Sequence, residues 1–156
     1  MKSKAKPAKS KQPVPSKKKS PGKARSGSQS RRAALPKHPL QYVPWNSIEL
    51  ENLNPLLQRQ FVVGQEIMIA RVLLKKDCIV PEHSHHNEQL TYILEGALKF
   101  YIDGREIVVN AGEVLCIPAN MPHKAVALSD TVDLDVFCPP RADWINKTDQ
   151  YLRGNK

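Results

Sequence analysis

Apolar and polar residues alternate in short stretches through most of the second half of the chain, between residues 60 and 137. This period of two is typical of β-strands that bury one face. Turn signals such as Glu95-Gly96, Asp103-Gly104 and Ser129-Asp130 separate the stretches. The pattern predicts eight strands, at residues 60–63, 66–74, 89–94, 97–102, 106–109, 113–117, 124–128 and 131–137.

Short strands joined by tight turns, without a helix between them, are typical of an all-β antiparallel sandwich or barrel. Only residues 141–152 have a helical pattern, which predicts a short C-terminal helix. All nine aromatic residues lie between Tyr42 and Tyr151. One globular domain is therefore expected over residues 41–156.

Residues 1–40 differ from the rest, because they hold 13 of the 24 Lys and Arg residues, six of the 13 prolines and no acidic residue. Such a segment cannot bury enough apolar surface to offset the entropy of ordering, so we expect a disordered basic tail. Its Lys and Arg runs suit loose contact with nucleic acid or another polyanion; a solvated tail without a partner is the alternative. The remaining residues carry 11 basic and 15 acidic side chains.

Several classes of protein are not expected from this sequence. The chain has no apolar run of the ~20 residues that a membrane-spanning helix needs, and no apolar core of a secretory signal follows its N-terminus. Its three cysteines, Cys78, Cys116 and Cys138, are widely spaced and odd in number, which is unlike a disulfide framework. A cytoplasmic protein with free thiols is the expectation.

Histidines are concentrated in one segment of the β region. His83 and His85 share strand parity, as does Gln89 if the chain stays extended, whereas His86 and Glu88 have the opposite parity. Two imidazoles on one inward face can chelate a metal ion. His123, which follows a proline-containing turn, is a candidate third ligand. The alternative is a barrel that has kept these histidines and lost its metal.

Two motifs around these histidines resemble those of the cupin superfamily. His83, His85 and Gly96 match the spacing of the first motif, with Gln89 at its acidic position and Asp77 at its leading glycine. Gly112, Pro118 and His123 match the second, with Asn120 in place of the inner glycine and Ala127 in place of the final asparagine. The resemblance implies a cupin-type antiparallel jelly-roll barrel. Having Asp77 and Asn120 where the motifs have glycine affects only the local geometry of the turns, because Asn tolerates the left-handed conformation.

The resemblance extends to the small single-domain cupins of the KdgF type, on the segments at 83–89, 92–96, 117–123 and 135–144. In that family three histidines and one glutamine hold the metal, which implies the ligand set His83, His85, Gln89 and His123. The implied cofactor is one divalent metal ion, with Zn, Ni, Mn and Fe all open. The implied reaction is ring opening of 4,5-unsaturated monouronates, the products of polysaccharide lyases, to linear 4-deoxy-5-keto uronates.

The closing segment supplies residues for such chemistry. Asp135 is the candidate catalytic carboxylate, which would transfer a proton near the metal. Arg141 is a candidate for catalysis and for binding the substrate carboxylate, and Phe137 for an apolar wall against the sugar. The alternatives are a rim ion pair between Asp135 and Arg141, a helix cap or dimer contact for Arg141, and a plain core role for Phe137.

Other functions stay open at this point. Another small metallocupin, either a keto-acid isomerase or an oxygenase, fits the same metal ligands, and so does a non-catalytic cupin that binds a sugar or other ligand while its tail binds polyanions. An anionic sugar acid is the expected small-molecule partner. Exposed edges of the strands at residues 60–74 favour a homodimer.

Overall fold

The computed structural model of the chain describes residues 39–153. Residues 1–38 of the predicted tail lie outside this range. No helix among the described residues is both long enough and apolar enough to cross a membrane. The globular part is built almost entirely from strands, as the sequence pattern predicts.

Ten strands form, and they pair in antiparallel fashion. Their bounds are β1 Glu51–Asn54, β2 Leu57–Val63, β3 Met68–Leu74, β4 Ile79–His83, β5 Glu88–Glu95, β6 Ala97–Ile102, β7 Arg105–Asn110, β8 Val114–Ile117, β9 His123–Ala127 and β10 Thr131–Cys138. A single-turn helix, α1 (Ala142–Ile145), and 3-10 turns at Trp45–Ser47 and Gln150–Leu152 complete the described chain.

The strands form the two sheets of a cupin jelly roll. One sheet has six strands in the order β1-β2-β3-β10-β5-β8, and the other has four in the order β4-β9-β6-β7. Burial alternates along β3, β9 and β10, so one face of each strand points into the barrel. The core residues from both sheets meet in this interior.

The register of the six-stranded sheet arranges its inward side chains in rows. Gln89 of β5 lies opposite Phe137 of β10. One step further along β10, Thr91 lies opposite Asp135. A third row, in which Asp133 is flanked by Ile93 and by Val72, lies deeper still. Polar residues thus occupy three successive inward positions beside apolar ones.

Three sequence expectations need correction. The periodicity predicted neither β1 nor β4, and β2 begins at Leu57 rather than at residue 60. Because β1 pairs with β2, the strands at residues 60–74 do not leave the exposed edge that favoured a dimer. The helix predicted over residues 141–152 is only Ala142–Ile145 followed by the 3-10 turn, since Lys147 takes a positive φ of 55° and ends the helix.

The departures from the cupin motifs keep the backbone that glycine would provide. Asp77 has φ of 66° and Asn120 has φ of 63°, so both residues adopt the left-handed conformation, as expected. The matching glycine at position 96 is sterically required, because a Cβ there would lie 2.4 Å from the Asp130 carbonyl oxygen. The turns that present both motifs are therefore intact.

Candidate metal and active site

Two strand ends and one loop bring three histidines together. His83 ends β4 and His123 begins β9, and the two residues are direct partners in the register. His85 lies in the loop before β5, where its carbonyl oxygen accepts a hydrogen bond of 2.6 Å from the Asn120 backbone N–H. One ring nitrogen from each histidine lies within 4.8 Å of the other two. The two motif segments thus converge as predicted.

Backbone carbonyls fix the tautomer of each ring. The Nδ1 atoms of His83, His85 and His123 lie 2.9, 3.0 and 2.8 Å from the carbonyl oxygens of Pro81, Asn87 and Met121 respectively. A carbonyl oxygen can only accept, so each Nδ1 carries the proton and each Nε2 presents a lone pair. This is the tautomer of a histidine that binds a metal through Nε2.

The same rings are neutral near pH 7. Burial lowers the pKa of His83 to about 3 and that of His85 to about 4, and it also lowers the pKa of His123. The positive charge of Arg141 adds to the effect in all three. Neutral imidazoles are the form that binds metal ions, so no proton has to be displaced at neutral pH.

The hydrogen bonds of Gln89 indicate whether a cation fits between this side chain and the histidines. Its Nε2 donates to Thr91 Oγ1 at 2.8 Å and to Asp135 Oδ1 at 2.9 Å, which fixes Oε1 on the other side of the amide. Oε1 lies 3.1 Å from His85 Nε2. With His85 neutral and Nδ1 protonated, these two atoms are both acceptors and cannot bond to each other. A cation between the acceptors resolves this conflict, so the residues present fit a divalent metal ion.

Asp135 lies next to the histidine cluster in the barrel interior. Its Oδ1 accepts hydrogen bonds from Gln89 and from Thr91 Oγ1 (2.5 Å). Burial raises the pKa of Asp135 to about 6, although both hydrogen bonds and the charge of Arg141 act to lower it. A carboxyl group with a pKa of that size can accept and return a proton near neutral pH. Asp135 is buried, as is Phe137, which has the same strand parity.

Phe137 is fully buried and lies beside the cluster, with its ring edge-on to the His85 ring at a centroid distance of 5.7 Å. Its other side packs against Trp144, at 5.0 Å. Phe137 belongs both to the core and to the wall of the site cavity. Its proposed contact with a substrate stays a prediction.

Arg141 lines the same cavity but is already paired. Its Nε and Nη2 donate to the two carboxylate oxygens of Asp143, at 2.8 and 2.6 Å, and Nη2 also donates to Tyr151 Oη at 2.9 Å. An ion pair between Arg141 and Asp135, one of the alternatives from the sequence, is not found among residues 39–153. Arg141 pairs instead with Asp143 of α1. A bidentate grip on a substrate carboxylate requires this pair to open, so the binding role of Arg141 stays a prediction.

Two residues that the motif analysis did not single out shape the site. Tyr151 stacks on the His83 ring at a centroid distance of 4.4 Å, so the C-terminal turn covers one side of the histidine cluster. Asn87, which is buried, donates through Nδ2 to the carbonyl oxygens of Pro139 and Pro140 and so ties the His85 loop to the end of β10. Strand parity could have indicated Asn87, but nothing local indicates Tyr151.

The side chains of His86 and Glu88 are exposed and point away from the cluster, as their parity predicts. Neither belongs to the group of histidines and acids that can share a metal ion.

The cavity behind the histidines has about 50 Å³ in which the centre of a water molecule can lie, which is room for several waters. Its walls are mainly apolar, as in most small-molecule sites. Its polar members are His83, Gln89, His123, Asp133, Asp135, Arg59, Arg141 and Tyr151. The chamber is thus mostly apolar, with several polar groups in its wall.

Comparison with known proteins agrees with this geometry. The model of the cupin domain family matches residues 70–139. The pectin degradation protein KdgF of Dickeya dadantii is 27% identical over 105 residues, which is 65% of this chain and 91% of that protein. The structure of KdgF from Halomonas sp. superposes with a TM-score of 0.64 at 23% identity and covers 68% of this chain and 99% of its own. An RmlC-like cupin from Shewanella frigidimarina gives the same TM-score at 26% identity, over 68% of this chain and 96% of its own.

The fold, the motifs and the domain match agree with one another: the described barrel has a cupin fold, and three histidines converge in it. In sequence the chain is similar to the KdgF of Dickeya dadantii, and it shares its fold with the KdgF of Halomonas sp..

Proposed function

We propose that this cupin is a metal-dependent enzyme that opens the ring of 4,5-unsaturated monouronates to give linear 4-deoxy-5-keto uronates. The similarity to KdgF proteins supports the substrate class. The observation that carries the proposal is the position of Asp135, a buried carboxyl group that Gln89 links to the histidine cluster.

Four side chains of this chain are proposed to hold the cation: His83, His85 and His123 through Nε2, and Gln89 through Oε1. A divalent ion bound there supplies Lewis-acid polarisation of a substrate oxygen. Three imidazole nitrogens and an amide oxygen suit Zn, Ni, Mn or Fe, so the donor set leaves the identity of the metal open.

Asp135 is proposed to move the proton. It accepts the proton of the anomeric hydroxyl, while C1 becomes an aldehyde and the bond between C1 and the ring oxygen breaks. The ring oxygen becomes the C5 keto oxygen as the same proton passes to C4. Substrate and product are isomers, so no oxidant or reductant is needed. Because Gln89 and Thr91 bind Oδ1, the free oxygen Oδ2 is the atom available for this transfer.

Phe137 and Arg141 are proposed to position the sugar. Phe137 offers an apolar wall beside His85. Arg141 keeps a positive charge at the cavity wall, where it favours an anionic ligand and the ionised form of Asp135. The pair with Asp143 holds the guanidinium in one orientation.

The test is turnover of a purified lyase product, followed as loss of the ultraviolet absorbance of the conjugated alkene. Metal-loaded protein should accelerate this loss, a chelator should abolish the acceleration, and Asp135→Asn should lower kcat by roughly hundredfold or more. Asp103→Asn makes the same chemical change on an exposed turn and serves as the matched control. Absence of acceleration at high concentrations of metal-loaded protein would contradict the proposal.

The cytoplasmic location, the homodimer and the polyanion contact of residues 1–40 stay predictions. Size-exclusion chromatography with light scattering tests the dimer. Deletion of residues 1–40 should remove any binding to polyanions at low salt while the rate on the uronate stays the same.

A further inference from the structure

The lining of the barrel cavity includes two polar groups that the proposed chemistry does not use. Arg59 of β2 and Asp133 of β10 are 0% and 4% exposed, and both line the same cavity as His83 and Gln89. In the six-stranded sheet, Val72 of β3 pairs with Arg59 on one neighbouring strand and with Asp133 on the other. Their Cα atoms are therefore two strand spacings apart, roughly 10 Å, with a small apolar side chain between them.

Asp133 has no partner that explains its burial. Its Oδ1 has no hydrogen-bond partner within residues 39–153, and the part of the chain that the structure describes contains no ion pair to it. Burial and the nearby Asp135 raise its pKa well above the ordinary value. An unpaired buried carboxyl group costs folding free energy, whereas leucine in its place would not. Its presence is explained if a ligand supplies the missing hydrogen bond.

Arg59 also has one donor left over. Its Nε donates to Glu51 at 3.0 Å, and its Nη1 lies 2.6 Å from Asp149 Oδ2, in an ion pair that is poorly aligned for a hydrogen bond. The Nη2 group is buried without a partner among the described residues. Glu51 and Asp149 also pair with Arg153, so two carboxylates balance two guanidinium charges. The remaining N–H groups of Arg59 suit the oxygen of a neutral hydroxyl.

We propose that Arg59 and Asp133 form an inner subsite that binds hydroxyl groups of a sugar ring. A hydroxyl both donates and accepts, so one can donate to Asp133 Oδ1 while another accepts from Arg59 Nη2. Asp133 lies two residues along β10 from Asp135, roughly 7 Å deeper in the barrel, which is about the length of a pyranose ring. The inference rests on the proposed function for the location of the reacting end, and it makes the substrate a hydroxylated sugar acid rather than a simple keto acid.

Calorimetry on the full-length, metal-loaded protein tests this with two probes. Galacturonate is a stable uronate with ring hydroxyls, whereas oxalate can chelate a metal ion and has no hydroxyl on a ring. Asp133→Leu and the smaller Asp133→Ala each remove the acceptor and should weaken galacturonate binding at least tenfold and leave oxalate binding within twofold, whereas Asp133→Asn keeps an acceptor oxygen and should stay near the parent affinity. Asp103→Asn, on an exposed turn, is the matched control and should change neither.

Stability separates ligand binding from a structural role. Asp133→Leu should melt at the same temperature as the parent or higher, because it removes an unpaired buried carboxyl group. If this variant fails to fold, the Asp133→Ala comparison decides alone. Unchanged galacturonate affinity, an equal loss for both probes, or no galacturonate binding to the parent protein overturns the subsite.

The binding experiment and the rate assay can fail independently of each other. Asp133-dependent galacturonate binding without turnover of the unsaturated uronate leaves the subsite standing and removes the proposed reaction. Turnover with a KM that Asp133→Leu does not change leaves the reaction standing and removes the subsite.

Discussion

Gln89 connects the histidine cluster to Asp135. Its Oε1 lies 3.1 Å from His85 Nε2, and its Nε2 donates to Asp135 Oδ1 at 2.9 Å. An amide suits this position because one end accepts and the other donates. A carboxylate, the usual residue at this place in the cupin motif, could face a cation but could not donate to Asp135. The amide thus allows the buried carboxyl group of Asp135 to lie beside the proposed metal ligands.

Replacing Gln89 tests this connection. Gln89→Glu should retain or strengthen metal binding, because it adds a negative charge to the proposed ligand set. It should lower kcat by roughly hundredfold, because two adjacent carboxyl groups cannot both ionise and Asp135 then stays protonated. Elemental analysis and the rate assay measure the two effects. The exposed Gln65→Glu is the control, and a variant at position 89 with the parent rate would refute this role for the amide.

The hydrogen bond from Thr91 sets the pH dependence. Asp135 must be ionised to accept a proton, so kcat/KM should rise with pH, with a midpoint at or below about 6 because a bound cation favours the carboxylate. Thr91→Val removes a hydrogen bond to the ionised form and should move the midpoint to higher pH. Thr91→Ser keeps the hydroxyl and should leave it near the parent value. A pH–rate profile that is the same in all three proteins would contradict the assignment.

His86, which lies outside the histidine cluster, provides a control for a test of metal binding. His123→Ala removes one of the three converging rings and should lose most of the metal found by elemental analysis of protein purified without added metal. His86→Ala removes an exposed ring that points away and should keep it. Circular dichroism of both variants checks that the barrel is folded. Equal metal content in the two folded variants would place the metal elsewhere.

The pair of Arg141 and Asp143 should contribute measurably to stability. Arg141 is 1% exposed, and Asp143→Ala leaves most of its hydrogen bonds unmade. We expect a loss of about 2 kcal/mol in the free energy of unfolding, measured by urea denaturation. Arg105→Ala breaks a solvent-exposed pair with Asp103 and should cost less than about 1 kcal/mol. Similar losses in both variants would show that burial does not strengthen the inner pair.

Much of the fold could be predicted from the sequence because the interior strands carry a regular alternation. The inward positions of β10, Asp133 to Phe137, follow directly from parity once one of them is known to be buried. The short strands β1 and β4 lack a regular alternation of this kind, so the pattern predicted neither of them. The helix was overestimated because the apolar residues of the C-terminal segment, Trp144, Tyr151 and Leu152, pack on the barrel rather than along one helix.

The part of the candidate site that depends only on the spacing of residues within the two motifs could be predicted from the sequence. The convergence of His83, His85 and His123 follows from two motifs whose turns are fixed. Contacts between distant segments do not follow, since nothing near Arg141 in sequence shows that Asp143 occupies its donors, and nothing near Tyr151 shows that its ring stacks on His83. These depend on how the last residues fold back over the barrel.

That stacking contact has a practical consequence for anyone preparing the protein. Tyr151 and Leu152 line the chamber, so a polyhistidine handle attached downstream of this turn places extra imidazoles a short way along the chain from it. Polyhistidine there would offer competing imidazoles within reach of the native ones. Purification handles therefore belong at the opposite terminus, and metal contents should be measured after their removal.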